Sequence, residues 1–265
     1  MRIRKALITI ETFINPFKIK YGMSIYTPDS DMKEPLVVFG CYTKTVMEWI
    51  MKHEGLCVIV WSGSDSMNLA KKQYFVNYCK QNEHRIFHIA YSHWIKSDLE
   101  QVGLSYIERV VLPVTFEWLK FEPEQGNKIY HYTVQHKSRR HIYGTDDIKE
   151  WIKKNRFLEN QVMVTNFYAY KKHELYELYK SAAFGIRLTE HDNMALSCIE
   201  LAIMGRPSIF NGNIPGAINY LDKIDAKDMM LEMFKNKPIP DKMLSEEMLE
   251  FVYDDEKWLN TEFYE

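Results

Sequence analysis

Long hydrophobic runs are missing from this chain: no apolar stretch approaches the roughly 18–20 residues that a membrane-spanning helix needs. The N-terminus lacks the apolar h-region of a secretory leader, so the expected location is cytoplasmic. Cysteine is sparse, and Cys41, Cys57, Cys79 and Cys198 are scattered in apolar contexts without metal-ligand spacing. They read as reduced core thiols, which argues against a disulfide scaffold or a cysteine-built metal site. No G-x-G-x-x-G and no P-loop follows any strand-like run, which removes the commonest phosphate-cradling loops. Internal repeats and low-complexity tracts are also missing. What is present is an ordinary globular balance, 46% hydrophobic and 26% charged, in 265 residues. That length allows one large or two small domains.

The net charge of −2 conceals an asymmetry. Residues 241–265 hold nine acidic and two basic side chains, a net of −7, which leaves +5 for residues 1–240. Residues 127–156 contribute eight Lys or Arg against three Asp or Glu. A local basic region of this kind suits an anionic ligand, although Lys149, Lys153, Lys154 and Arg156 also fit a solvated helix face.

Hydrophobic patterning predicts strands at 6–10, 36–39, 56–61, 85–90 and 109–114. Helices are expected between them at 43–53, 67–81 and 93–101, and 11–35 reads as a loop around Pro16, Gly22 and Pro28. Residues 115–127, with Pro123 and Gly126, read as a linker. The alternation then restarts: strands at 128–133, 161–165, 184–188 and 208–210, helices at 146–155, 172–182 and 194–204, and a short helix from Pro215. Strand–helix alternation predicts α/β architecture with doubly wound parallel sheets. The expected domains are 1–122, 123–240 and an acidic helical tail, 241–265, that packs back on the N-terminal domain.

The chain is organised around 184–211, where strand, polar loop, apolar helix, Gly205 stop and strand follow in order. Glu200 is the odd residue of that helix. Leu196, Ile203 and Met204 lie one turn from it, so no polar face carries it to water. A buried carboxylate costs several kcal/mol unless paired, and this helix starts where open α/β sheets place ligands. Asp192 lies eight positions earlier, placed either for a ligand or as the cap of the helix.

Asp192-x7-Glu200 followed by Gly205-Arg206-Pro207 resembles the Glu-x7-Glu…Gly-x-Pro signature of retaining GT-B glycosyltransferases, the sucrose-synthase and glycogen-synthase-like group. Here the first acid is Asp. The run from Arg187 to Asp192 is similar to an R-L-T-x-H-D subgroup. Trp61-Ser62-Gly63-Ser64-Asp65 resembles that subgroup's W-x-G-x-D loop, and Ser92-His93-Trp94 with Leu99 and Gly103 fits its pattern. The resemblance spans about residues 36–220. It implies a GT-B fold, two Rossmann-like domains facing a cleft, and transfer of a hexose or pentose from a nucleotide-sugar donor to an acceptor hydroxyl with retention. In those terms Glu200 contacts the donor ribose, which would also satisfy its carboxylate. Asp192, with the backbone of Asn193 and Met194, holds the sugar. Lys137, Arg139 and Arg140 are the candidates for the diphosphate, with Arg187 a further anion partner. The family's Gly-Arg…Lys-Gly wording is missing from that loop. His93, His191 and Asp65 are the polar residues expected near the acceptor. No cofactor or metal is expected, and Asp29-Ser30-Asp31 reads as a turn.

The expected acceptor is a glycan or cell-surface molecule. The rival is a hydroxymethylated DNA base, since phage enzymes acting on such bases use GT-B architecture. Arg2, Arg4, Lys5, Lys18, Lys20 and 14% aromatics fit a DNA-facing surface. A degenerate GT-B scaffold that binds nucleotide without catalysis is the alternative from another class.

Overall fold

The structure, a computed structural model, describes residues 6–9, 11–27, 32–133, 137–166 and 170–264, apart from the side chains of 6, 12, 137–139, 166, 261 and 262. Asp29-Ser30-Asp31, Arg2, Arg4, Lys5 and the side chains of Lys137 and Arg139 lie outside the described residues. The chain divides into two compact units. The first holds 1–115 with 252–265, and the second holds 116–251.

The first unit contains β1 (Ala6–Thr9), α1 (Glu11–Tyr21), β2 (Ser24–Ile25), β3 (Leu36–Phe39), α2 (Lys44–Lys52), β4 (Cys57–Val60), α3 (Gln73–Gln81), β5 (Ile86–Ala90), α4 (His93–Val102) and β6 (Ile107–Glu108). Its six-stranded sheet, order β2-β1-β3-β4-β5-β6, is parallel throughout. β3 and β4 are buried at every position, which explains why they read as continuous apolar runs rather than alternating ones.

Three expectations are corrected here. Residues 11–21 form a helix rather than a loop. Phe13, Phe17 and Tyr21 recur every four residues, and Phe17 and Tyr21 are buried. Phe13 and Phe17 pack on Phe39, and Tyr21 packs on Trp258, so tertiary packing carries the helix through Pro16. The helix expected over 67–81 is split, because Asn68 adopts φ 65° before a 3-10 turn at Leu69–Lys71. No strand forms at 109–114, where one was expected; the strand in this region, β6, lies just before it at Ile107–Glu108. The carbonyl of Leu112 instead accepts from Lys20 Nζ and Tyr21 Oη, while Val111 and Leu112 stay buried.

The second unit contains β7 (Lys128–Thr133), a 3-10 segment (Lys137–Tyr143), α5 (Thr145–Lys154), β8 (Val162–Asn166), α6 (Lys172–Ser181), β9 (Ala182–Ile186), α7 (Leu196–Ile203), β10 (Ser208–Ile209), β11 (Ala217–Ile218), α8 (Lys223–Asn236) and α9 (Lys242–Phe251). Its five-stranded sheet, order β11-β10-β9-β7-β8, is also parallel throughout. The helix expected from Pro215 is instead edge strand β11. The helix starts later, at α8, where Asp222 caps the amides of Ile224 and Asp225.

Candidate functional site

A cavity of about 260 Å³ opens in the second unit at the C-terminal ends of its strands. Strand periodicity supplies part of the wall. Tyr130 and Tyr132 share one face of β7, whereas Ile129, His131 and Thr133 share the other and meet α5. His131 is held neutral there: burial lowers it to about 4, Nδ1–H donates to Ile186 O, and Nε2 accepts from the Thr145 hydroxyl. Thr165 of β8, Leu175 and Tyr179 of α6, Tyr143 of the 3-10 segment, Tyr170 and Arg187 extend the wall. Met194, Leu196, Ser197 and Glu200 complete it from the start of α7.

Glu200 is not sealed in the core, as its apolar helix led us to expect. Its side chain is partly buried and reaches the cavity wall. Tyr179 Oη donates to Glu200 Oε2, Tyr130 packs edge-on against Tyr179 at 4.9 Å, and Thr165 Oγ1 donates to Tyr130 Oη at 2.8 Å. Burial raises the Glu200 acid to about 7, against the opposing pull of the Tyr179 hydrogen bond and the Lys172 charge.

Arg187 follows β9 directly and is buried. Its Nε donates to Asp192 Oδ2 at 2.7 Å, and Nη2 lies 2.5 Å from the same oxygen. The guanidinium packs over the rings of Tyr143 at 4.7 Å and Tyr132 at 5.1 Å. Burial is the largest influence and works against its charge, but the Asp192 carboxylate, with smaller contributions from Cys198 and Tyr143, holds Arg187 above its ordinary range. Asp192 Oδ1 accepts the backbone N–H of Asn193 at 2.9 Å. Asp192 is therefore not the helix cap: α7 begins after Ala195 with no side-chain cap hydrogen bond, which leaves its first amides beside the cavity.

The remaining candidates divide between the cavity and other places. Met194 is buried in the cavity wall, and Asn193 adjoins it through the backbone. Arg140 is partly buried in the 3-10 segment and does not line the cavity. Asp65 and His93 belong to the first unit, whereas every lining residue belongs to the second. Asp65 is buried and accepts the amides of Cys41 at 3.0 Å and Ser62 at 3.1 Å, so it staples two loops. Burial raises it to about 6 despite those bonds. His93 is exposed at the start of α4, with its ring 4.0 Å from Trp94. The five tyrosines of the wall escaped the sequence reading. The alternation Tyr130-His131-Tyr132 was the signal that could have found two of them.

The fold is GT-B, with two parallel α/β units. No family model matches the sequence, and no curated protein matches it. Solved structures do resemble it. HepE from Anabaena, in complex with UDP and glucose, aligns with TM-score 0.58 at 11% identity over 89% of this chain and 78% of that chain. Sucrose-phosphate synthase from Thermosynechococcus elongatus aligns with TM-score 0.56 at 10% identity over 90% and 72%. TarM aligns with TM-score 0.51 at 12% identity over 87% of this chain but only 52% of that one.

Proposed function

We propose that this protein is a glycosyltransferase that moves a sugar from a nucleotide-sugar donor to an acceptor hydroxyl with retention. The observation that carries the reading is the Glu200 carboxylate in the wall of a tyrosine-lined cavity at the C-terminal ends of a parallel sheet. A carboxylate there can accept from both ribose hydroxyls, which replaces the water it gives up. Tyrosine faces suit a base and a sugar ring, and the uncapped start of α7 suits an anion. Asp192 holds the transferred sugar, and the basic segment with Lys137, Arg139 and Arg140 neutralises the leaving diphosphate. The UDP and glucose bound to HepE support a donor of this class.

Mixing the protein with UDP-, GDP- and ADP-sugars and following melting temperature and donor hydrolysis tests the proposal. One of them should stabilise the protein. Glu200→Gln should weaken its binding about tenfold or more, the worth of a hydrogen bond to a charged group. Unchanged binding in that variant would sink the ribose assignment. Transfer should persist in EDTA. The acceptor, glycan or hydroxymethylated DNA, separates on a DNA column: retention lost steeply with salt favours DNA.

A further inference from the structure

The hydrogen-bond geometry of Arg187 is lopsided. Nε and Nη2 both point at one oxygen of Asp192, Oδ2, and Nη1 takes part in neither bond. A guanidinium and a carboxylate facing each other squarely would instead form two parallel bonds to two oxygens. Here the second oxygen, Oδ1, is turned to the Asn193 amide. The Nη1–Nη2 edge therefore remains for another oxyanion. Arg187 lines the same cavity as Glu200, and its plane is fixed by the rings of Tyr132 and Tyr143. Tyr143 closes the basic 3-10 segment, so this packing also brings the end of that segment onto Arg187.

We propose that Arg187 joins the basic segment in binding the donor's diphosphate, as the arginine of the cavity wall itself, and that Asp192 holds it as a resting counter-ion, which the diphosphate partly displaces. This rests on the nucleotide-sugar reading above and adds to it. Asp192 is engaged with Arg187 until the anion arrives, and the exchange releases a carboxylate oxygen toward the sugar hydroxyls. The site thus couples recognition of the diphosphate to exposure of the sugar's acceptor group. Asp192 opposes the free diphosphate, because two anions compete for one buried cation. A nucleoside without phosphates makes no such demand.

The test is the ratio of the dissociation constants of a nucleoside and its 5′-diphosphate, measured by calorimetry at fixed salt for uridine, guanosine and adenosine pairs. In wild type the diphosphate should bind more tightly for the preferred base. Arg187→Met should cut that advantage about tenfold while nucleoside affinity stays within about twofold. Arg187→Lys, which keeps the charge without the fork, should recover part of it. Asp192→Asn should raise diphosphate affinity several-fold and lower affinity for the intact nucleotide sugar. An advantage that Arg187→Met leaves intact, or a diphosphate affinity that Asp192→Asn leaves equal or lower, overturns the exchange. A nucleoside affinity that falls in parallel assigns Arg187 a merely structural role, and melting temperatures of each variant identify unfolding. These failures are distinct from failure of the nucleotide-sugar reading itself, in which wild type binds neither nucleoside nor diphosphate, or Glu200→Gln has no effect.

Discussion

The Glu200 proton answers to two demands, burial that favours the acid and a ligand that needs the carboxylate. Raised from 4.5 to about 7, this acid binds more protons in the folded than in the unfolded chain across that interval. The stabilisation it lends is present below about pH 4.5 and is lost as the pH rises toward 7. Binding runs the opposite way. A carboxylate that accepts two hydroxyls is charged only above its raised pKa, so nucleotide-sugar affinity should climb as the pH passes through neutrality. A nucleotide sugar is the right probe, since its pyrophosphate diester does not titrate there. Calorimetry across that range should show the climb in wild type and a flat profile in Glu200→Gln. Asp65, raised to about 6, adds its own slope to stability but none to binding if the cavity is the donor site. The sequence shows Glu200 as an anomaly because it breaks an apolar helix. It cannot show Tyr179 as its partner, because residues 21 apart on two different helices meet only once the chain has folded.

At the scale of elements, the Gly205-Arg206-Pro207 stop does more than end a helix. Gly205 sits at φ 81°, and a Cβ there would lie 2.8 Å from Asp241 O. Arg206 is buried and donates to the carbonyls of Ala182, Glu122, Met204, Glu124 and Lys180. One cation thus gathers the C-terminal ends of α6 and α7 with the chain that precedes β7. Arg206→Met should leave several of these carbonyls without a partner and cost about 3 kcal/mol or more. A denaturant midpoint that does not move would show that water replaces the side chain. Element type was mostly legible where burial is two-sided, as in β3, β4 and β9, because an unbroken apolar run has few other readings. Pro16 and Pro215 misled for one reason. Proline reports local preference, whereas α1 is decided by Phe39 and Trp258 and β11 by its pairing with β10.

For the whole molecule, the chain's course matters more than its order. Residues 252–265 return to the first unit, where Trp258 is fully buried. Asp254 accepts from Tyr21 Oη at 2.6 Å and Trp258 Nε1 at 3.3 Å, and it pairs with Arg109 at 3.5 Å and Lys20 at 3.9 Å. Burial lowers the Lys20 ammonium, partly offset by Asp254 and Glu256, so this lysine depends on the returning segment for its counter-charge. A chain ending at Phe251 should therefore expose α1 and leave Lys20 without its carboxylate. Amide exchange should accelerate in α1 and around Leu112, and protection equal to wild type there would refute this anchoring role. Composition placed the acidic excess in this tail, but only the packing shows which unit its last residues join.

The sequence alone determined the alternation of strands and helices, the parallel α/β class and the Asp192–Glu200 spacing, because these follow from local periodicity and from one helix's geometry. It could not determine the tyrosine wall or the bond from Tyr179. Those depend on which distant segments the sheet order brings side by side, and β9 lies next to both β7 and β10 only once the chain has folded. The sheet turns a carboxylate that looked misplaced in an apolar helix into part of a cavity wall.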